Sequence, residues 1–318
     1  MCKLKMPQIS QIACVRDNLV MIDKNGGLWI TIKGNPFVES ITKQISTPYR
    51  WLQVSCGEFR ALAIREDRTI WDIRSPVKGQ FDTIRVEGDT SNSWARVSCG
   101  GYSHAVAIQS DGTLWGTGDN SIGQMGYLDG DTNILGFTRL SADNDWVQAA
   151  CGYRHTVALK RDGTIWGVGD NGYGQLGGLG SRLNTITHIC KGSRGVQVAC
   201  GENHTVILKK DETLWGLGGI NFDRVVDGVA ASAHILTPLT PIRGWIHIEG
   251  GPYLTMVTHR CGVTQALGNT VHEIHEEVFN RVCPYPQGNV HRAFCGENFI
   301  ALLDREGGVY TCRKPGGF

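Results

Sequence analysis

The chain has 318 residues, of which 31 are Lys or Arg and 30 are Asp or Glu. This balance creates no overall field toward DNA, RNA or an anionic membrane, so we expect neither nucleic acid nor a membrane as a partner. No apolar run is long enough to cross a bilayer, and no apolar signal segment follows Met1. An odd number of cysteines, 11, without an export signal predicts reduced thiols made in a reducing cytoplasm.

One unit recurs seven times along the chain, and such a repeat determines the architecture. The units align on one anchor position, which is cysteine in all units but the sixth: Cys14, Cys56, Cys99, Cys151, Cys200, Gly250 and Cys295. The shortest spacing, from Cys14 to Cys56, is 42 residues, and the longest, from Cys99 to Cys151, is 52 residues. All nine tryptophans lie either five residues before an anchor or 15 to 16 residues after it.

Each unit has the pattern of antiparallel β structure. In the fourth unit, V-Q-A-A and T-V-A-L-K predict two strands, and the following R-D-G predicts a tight turn. T-I-W-G-V-G predicts a third strand, and a variable segment supplies a fourth short apolar run. Four strands at a period of about 40–50 residues are typical of propeller blades. The sequence therefore predicts an all-β fold, a single seven-bladed β-propeller of four-stranded blades over residues 1–318.

The alternative for this period is an open solenoid, and two observations favour a closed ring. The end repeats lack the polar caps that an open stack needs. The last unit stops at Phe318, just after its third strand. We expect residues Cys2 to Met6 to supply its outer strand by pairing near Val309–Arg313, which would remove two sheet edges at once.

The recurring side chains predict how neighbouring blades pack. We expect the tryptophans to fill the space between blades, because a buried indole covers about 150–250 Å². The anchor thiols fit the role of small buried apolar groups. The glycine that follows every anchor except Cys14 would let two backbones approach closely.

Two stretches carry a family resemblance. C-G-Y-R-H-T-V-A-L-K-R-D-G-T-I-W-G-V-G-D-N-G-Y-G-Q-L-G (151–177) and the similar string at 99–126 resemble repeats of the regulator of chromosome condensation family. The match is strong in units three to five and weak in units one and six. The resemblance implies a seven-bladed propeller, in agreement with the count above.

The family's functions are diverse, so the resemblance alone implies no single one. Its founding member exchanges guanine nucleotide on a small nuclear GTPase and sits on chromatin. This chain lacks the basic N-terminal tail of that member, and its short units leave little room for the hairpin that engages the GTPase. Compact bacterial and phage versions of the repeat are more similar in length.

Several residues could carry chemistry, and we interpret them as structural. His104, His155 and His204 occupy one repeat position, so they point along different radii, and we expect each to bond a backbone carbonyl of an adjacent strand or blade. The pair Cys151 and His155 could form a thiolate–imidazole dyad, yet a repeated cysteine is more typical of a core. Besides Cys2 of the expected closing strand, four cysteines lie outside the anchor position and are predicted as surface or inter-blade thiols: Cys190, Cys261, Cys283 and Cys312.

Two local sequence motifs are also interpreted as structural. The string from His272 to Glu277 is not H-E-x-x-H, and the helical spacing of nearby valines predicts a short amphipathic insert. Asp119-Asn120 and Asp170-Asn171 lie in Gly-rich loops without a following lysine, so we expect turns rather than phosphate sites. We therefore predict no catalytic residue, no cofactor and no metal.

The sequence predicts a non-catalytic protein that acts by surface contact and takes no small-molecule substrate. The first reading is a structural or interaction component of a larger assembly, such as a phage or virus particle. The alternative is a soluble regulator that binds a partner protein, either an exchange factor or a protein inhibitor. Loops at propeller faces carry binding, and the irregular segments 126–134, 219–243 and 269–288 are the predicted contacts with other protein subunits.

Overall fold

The fold is known from a computed structural model. It describes residues 2–15, 18–32, 41–45, 48–58, 60–77, 80–86, 92–101, 103–126, 132–190, 192, 194–219, 234–251, 254–268, 289–296 and 299–313. Within these ranges the regular structure consists of β-strands, and there is no helix.

Seven sheets are arranged as the blades of a propeller, which confirms the predicted all-β fold. The first strand of each blade lies innermost: β2 (Ile9–Val15), β6 (Trp51–Cys56), β10 (Trp94–Cys99), β14 (Trp146–Cys151), β18 (Gly195–Cys200), β22 (Trp245–Gly250) and β25 (Val290–Cys295). The second strands are β3 (Asn18–Asp23), β7 (Ala61–Arg65), β11 (His104–Gln109), β15 (His155–Lys160), β19 (His204–Lys209), β23 (Leu254–His259) and β26 (Phe299–Asp304). The third strands are β4 (Leu28–Ile32), β8 (Ile70–Val77), β12 (Leu114–Asp119), β16 (Ile165–Asp170), β20 (Leu214–Gly218), β24 (Thr264–Gly268) and β27 (Val309–Arg313).

The outer strands complete six of the seven blades. They are β5 (Ile41–Gln44), β9 (Gln80–Arg85), β13 (Asn133–Arg139), β17 (Arg182–Cys190), β21 (Thr237–Pro238) and, for the seventh blade, β1 (Cys2–Lys3). The sixth blade has three strands among the described residues, in the order β22-β23-β24. All these neighbours pair antiparallel, as short connections require.

The two ends of the chain meet in the seventh blade, as predicted. Strand β1 pairs antiparallel with β27, with Cys2 opposite Thr311 and Lys3 opposite Tyr310. The amide of Leu4 extends the contact by donating to the Val309 carbonyl at 3.0 Å. The strand is shorter than the predicted segment Cys2–Met6, but it covers the edge that β27 would otherwise expose.

Side chains from adjacent blades form the core. Trp94 begins β10, is 1% exposed, and packs with Leu62 and Ile64 of the preceding blade. Trp51, Trp146 and Trp245 repeat this arrangement at the next equivalent boundaries. The tryptophans of this inner-strand position therefore wedge between blades, as the sequence predicted.

The third-strand tryptophans lie in a different environment. They are half-buried, and four of their indole N–H groups donate to the hydroxyl of the threonine two residues earlier. In the fourth blade, Trp166 donates to Thr164 at 3.1 Å, and Thr164 donates to the Asp162 carboxylate at 2.7 Å. An Asp–Thr–Trp relay thus ties the turn after the second strand to the third strand.

Candidate functional site

The three repeated histidines lie buried at three successive blade boundaries. His104 Nε2 lies 3.2 Å from the Thr156 hydroxyl of the next blade, and His204 Nε2 lies 2.9 Å from Thr255. Because the Thr156 hydroxyl gives its one hydrogen to the Gln124 carbonyl at 2.6 Å, it accepts from the imidazole. The partner lies in the neighbouring blade as predicted, and the accepting atom is a threonine hydroxyl rather than a backbone carbonyl.

Burial keeps these imidazoles neutral. It lowers the pKa of His104 and of His204 to about 4 and that of His155 to about 3. In these three blades the glycine after the anchor packs on the ring: a Cβ at Gly152 would lie 2.1 Å from His155 Cε1. The histidines are thus fixed between blades and do not converge on one site.

The anchor thiols donate across blade boundaries. Cys151 Sγ lies 3.4 Å from the Ser98 carbonyl, and Cys295 Sγ lies 3.0 Å from the Leu254 carbonyl. Burial raises the pKa of Cys295 and of Cys200 to about 12. A thiol in this state is a poor nucleophile, and Cys151 uses its proton on a backbone carbonyl. The core interpretation of Cys151 with His155 therefore agrees with the geometry.

A central cavity of about 310 Å³ runs between the inner strands. In its wall, glutamine side chains form hydrogen bonds between consecutive blades. Gln148 donates to the Val198 carbonyl at 2.9 Å and accepts from the Val198 amide at 3.1 Å. Gln53 and Gln197 bridge their next blades in the same two-bond fashion. Each glutamine follows a bulge in its inner strand, which turns the side chain toward the neighbour.

Three blades replace that glutamine with a basic or imidazole side chain: Arg96, His247 and Arg292. Arg292 Nη1 lies 3.5 Å from the Glu249 carboxylate, which is half-buried. Burial raises the pKa of Glu249 to about 7, and the Arg292 charge opposes that rise. Glu249 lines the cavity together with Glu58, Arg96 and Glu202, so charged side chains reach the wall from several blades.

The Gly-rich loops are built by their own side chains. Asn171 donates to the Gly177 carbonyl at 2.7 Å, and its Oδ1 accepts from the Leu176 amide at 2.7 Å. Gln175 donates to Asp170 at 3.1 Å, and both Asn171 and Gln175 are buried. Asp119 and Asn120 form the same loop in the third blade. The predicted turn role is confirmed, because the polar groups that could hold a phosphate already bond one another.

The cysteines outside the anchor position differ in burial. Cys190 and Cys312 are buried, whereas Cys261 is exposed. Among the described residues, no group of three or more His, Cys, Asp or Glu side chains could hold a metal ion. Cys283 and the string from His272 to Glu277 lie outside the described residues.

The predicted contact segments lie largely outside the described residues as well. This holds for all of 269–288, for 220–233 within 219–243, and for 127–131 within 126–134. The described part of the chain contains no helix with the length and apolar character that a bilayer crossing requires.

An exposed apolar patch lies on one face, over the boundary between blades four and five. Tyr173 is 57% exposed, Leu179 46% and Ile235 65%. The loop with Tyr173 and Leu179 meets the segment with Ile235, because a Cβ at Gly178 would lie 3.5 Å from the His234 carbonyl. We call Tyr173, Leu179 and Ile235, together with the adjoining Tyr153–Arg154 turn, the blade 4–5 surface.

The adjoining turn adds aromatic and cationic character. The Asp170 amide donates to the Arg154 carbonyl at 2.9 Å, which places the turn beside the loop of Tyr173. The Arg154 guanidinium lies 5.6 Å from the centre of the Tyr153 ring. Tyrosine and arginine are enriched in protein–protein interfaces, and single exposed apolar residues elsewhere need no explanation. The blade 4–5 surface is therefore a candidate contact for a protein partner.

The molecule thus belongs to the class of seven-bladed β-propellers. Residues 94–124 and 146–175 match one family model, and residues 111–159 match a second; both describe the regulator of chromosome condensation repeat. Residues 94–175 of the chain therefore carry regulator of chromosome condensation repeats.

Known proteins resemble parts or all of the chain. It is 31% identical over 140 residues to the probable E3 ubiquitin-protein ligase HERC6 of Homo sapiens, covering 40% of this chain and 14% of that protein. It is 40% identical over 92 residues to the ultraviolet-B receptor UVR8 of Arabidopsis thaliana, covering 27% and 20%. The match therefore spans a fifth or less of these relatives.

A solved structure shares the whole fold. Prp20p of Saccharomyces cerevisiae superimposes with a TM-score of 0.72 at 15% identity, over 97% of this chain and 83% of that one. Its structure was described with binding properties to Gsp1p and histones. At this identity the likeness establishes the fold alone.

Two recurring features of the site were not predicted from the sequence. The bridging glutamines recur three residues before four anchors, at Gln11, Gln53, Gln148 and Gln197. The Asp–Thr–Trp relay recurs as D-x-T-x-W in blades two to five. Both patterns are visible in the aligned units, so a closer comparison of polar positions could have found them.

Proposed function

We propose that this protein is a non-catalytic regulator that binds a partner protein through the blade 4–5 surface. This is the alternative reading of the sequence, and the relatives support it better than a particle component. The observation that carries it is the exposure of Tyr173, Leu179 and Ile235 on two segments that meet at the boundary of blades four and five.

The described chemistry agrees with a binding role. The anchor thiols and the three repeated histidines are used between blades, and the Gly-rich loops satisfy their own polar groups. What the ring offers is a fixed array of loops, and such preorganised surfaces bind with little ordering cost. Gsp1p and histones, named for Prp20p, are the first partners to test, and absence of nucleic-acid binding remains a prediction.

The test begins with capture of partners from the native source and proceeds to direct binding with purified proteins. Variants Tyr173→Asp and Ile235→Asp should weaken binding by about tenfold or more, because a buried charge at an apolar contact is costly. Ile242→Asp is the matched control, since Ile242 is 56% exposed but lies near the opposite, turn-bearing face. If the control abolished binding and the two variants did not, the assignment of the surface would be wrong.

A second assay separates the possible regulators. Nucleotide release from a small GTPase, stimulated by catalytic amounts of the protein, would identify an exchange factor. Tight stoichiometric binding without stimulated release would favour the inhibitor type. A native mass that places the protein in a large particle of many subunits would instead favour a structural component of that particle.

A further inference from the structure

The turn between β23 and β24 departs from the equivalent turns of blades two to five. Those turns carry an aspartate followed by a threonine, as in Asp211 and Thr213 of the fifth blade. In the sixth blade Cys261 stands at the aspartate position and Val263 at the threonine position. The backbone of the turn is kept, with the Gly262 amide donating to the His259 carbonyl at 2.8 Å. The relay is lost, so the Cys261 side chain has no threonine partner there.

An imidazole takes the place of that partner. His259 Nδ1 lies 2.8 Å from Cys261 Sγ, and His259 Nε2 lies 2.8 Å from the Arg243 carbonyl. A carbonyl can only accept, so Nε2 carries the hydrogen and Nδ1 presents its lone pair to the thiol. The Cys261 amide also points at Nδ1, at 3.2 Å, which requires the same tautomer.

The ring of His259 is held in this orientation from two sides. A Cβ at Gly244 would lie 2.3 Å from His259 Nε2, so the backbone packs directly against the imidazole. The Trp245 ring meets it edge to face, with centroids 5.5 Å apart. The arrangement of nucleophile, base and orienting acceptor is the one that activates thiols in proteins.

The setting of Cys261 differs from that of the other described thiols. Of the nine cysteines whose burial the structure describes, Cys261 is the exposed one, and the others are buried or half-buried. Arginines belong to this turn and its neighbours: Arg243 and Arg260 pair with Asp211 and Glu212 of the preceding turn, and Arg305 bonds the Arg260 carbonyl at 3.1 Å. Exposed thiols near cationic groups are the ones that react.

We propose that Cys261 and His259 form a thiol–disulfide exchange site that takes a small disulfide bearing carboxylates. The Cys261 thiol passes its proton to His259 Nδ1, and the thiolate attacks one sulfur of the disulfide. A bond forms between Cys261 Sγ and that sulfur while the sulfur–sulfur bond of the reagent breaks. The departing thiolate takes the proton from Nδ1, so the products are a mixed disulfide on Cys261 and one free thiol. Excess thiol reverses the reaction.

The experiment uses the full chain and glutathione disulfide, with each modified cysteine located by peptide mapping after acid quenching. Wild-type protein should gain one glutathione at Cys261 first, and Cys261→Ser should lose that rapid equivalent. His259→Gln should slow the modification of Cys261 by about tenfold or more, because a positioned base contributes at least that much.

A matched control comes from the fifth blade. Asp211→Cys in the C261S background places a thiol in the equivalent turn, where Lys209 stands in the position of His259. We expect Cys261 in wild type to react about tenfold faster than this control thiol, and faster with glutathione disulfide than with the cationic disulfide cystamine. Equal rates for Cys261 and the control thiol, or no effect of His259→Gln, would overturn the proposal. Circular dichroism of each variant verifies that it is folded before its rate is compared.

Discussion

The two tryptophan positions should differ in their contribution to stability, and the fourth blade allows a direct comparison. Trp146 is 2% exposed and packs against Val106 and Ile108 of the third blade. Burying about 150–250 Å² of indole at about 25 cal/mol per Å² corresponds to roughly 4–6 kcal/mol as an upper bound. Trp146→Ala should therefore lower the free energy of unfolding by about 3–5 kcal/mol.

Trp166 meets water on one side, so its replacement should cost less. It is half-buried, lies under the Lys160 ammonium at 4.9 Å from the ring, and donates one hydrogen bond to Thr164. We expect Trp166→Ala to cost about 1–3 kcal/mol. The two rings meet at 83° with centroids 6.1 Å apart, so the double variant should cost about 0.5–1.5 kcal/mol less than the sum.

Urea unfolding followed by far-ultraviolet circular dichroism measures all three variants, because tryptophan fluorescence changes with the substitutions themselves. Trp146→Phe serves as the control that keeps an aromatic ring in the wedge. An equal or larger loss from Trp166→Ala than from Trp146→Ala would refute the assignment of the inner-strand tryptophan as the wedge between blades.

Three further predictions follow from the contacts between blades. Gly152→Ala should destabilise the protein strongly, because its Cβ would collide with His155, whereas Gly172→Ala, with its nearest contact at 3.4 Å, should be nearly neutral in a thermal melt. Gln148→Met should lower the urea midpoint by an amount equivalent to about 1–3 kcal/mol, because the amide and carbonyl of Val198 lose their hydrogen-bond partner. Arg96→Gln should raise the midpoint by adding the glutamine bridge that the third blade lacks. A midpoint unchanged by Gln148→Met would contradict the bridging role. Burial lowers the pKa of His204 to about 4 in the folded protein, below its ordinary 6.5. Between these pH values the unfolded chain binds a proton at His204 and the folded protein does not, so stability should fall as the pH drops from about 6.5 toward 4. A pH series of melting temperatures should show a shallower fall in His204→Gln.

Packing features of the fold could be predicted from the sequence because they repeat in most units. The anchor cysteines and inner-strand tryptophans recur at fixed offsets, since each blade must fill the same wedge against its neighbour. The pairing of Lys3 with Tyr310 could be predicted from the missing strand of the last unit. Fold and closure therefore follow from periodicity alone.

The candidate surface could not be predicted in the same way. Tyr173 and Leu179 lie in a loop whose sequence pattern repeats that of the third blade. Contact between this loop and the segment at Ile235 depends on how two blades pack. The hydrogen-bond partner of His104 could not be predicted from local spacing either, because Thr156 lies 52 residues away in the chain. Exposure and cross-blade contacts are properties of the assembled ring, and local spacing does not record them.

The departures from the repeat concentrate in the sixth blade, and their distribution carries information about function. There Gly250 replaces the anchor thiol and His247 the bridging glutamine. Cys261 and Gln265 replace both ends of the Asp–Thr–Trp relay. Each change removes a hydrogen bond or a packing contact that blades two, four and five retain, so stability alone does not account for the residues found instead. Proteins depart from their own packing rules chiefly at functional sites. The positioned Cys261 thiol of the sixth blade is therefore most easily explained by its chemistry, whereas blades four and five keep the regular pattern of packing beneath the proposed binding surface.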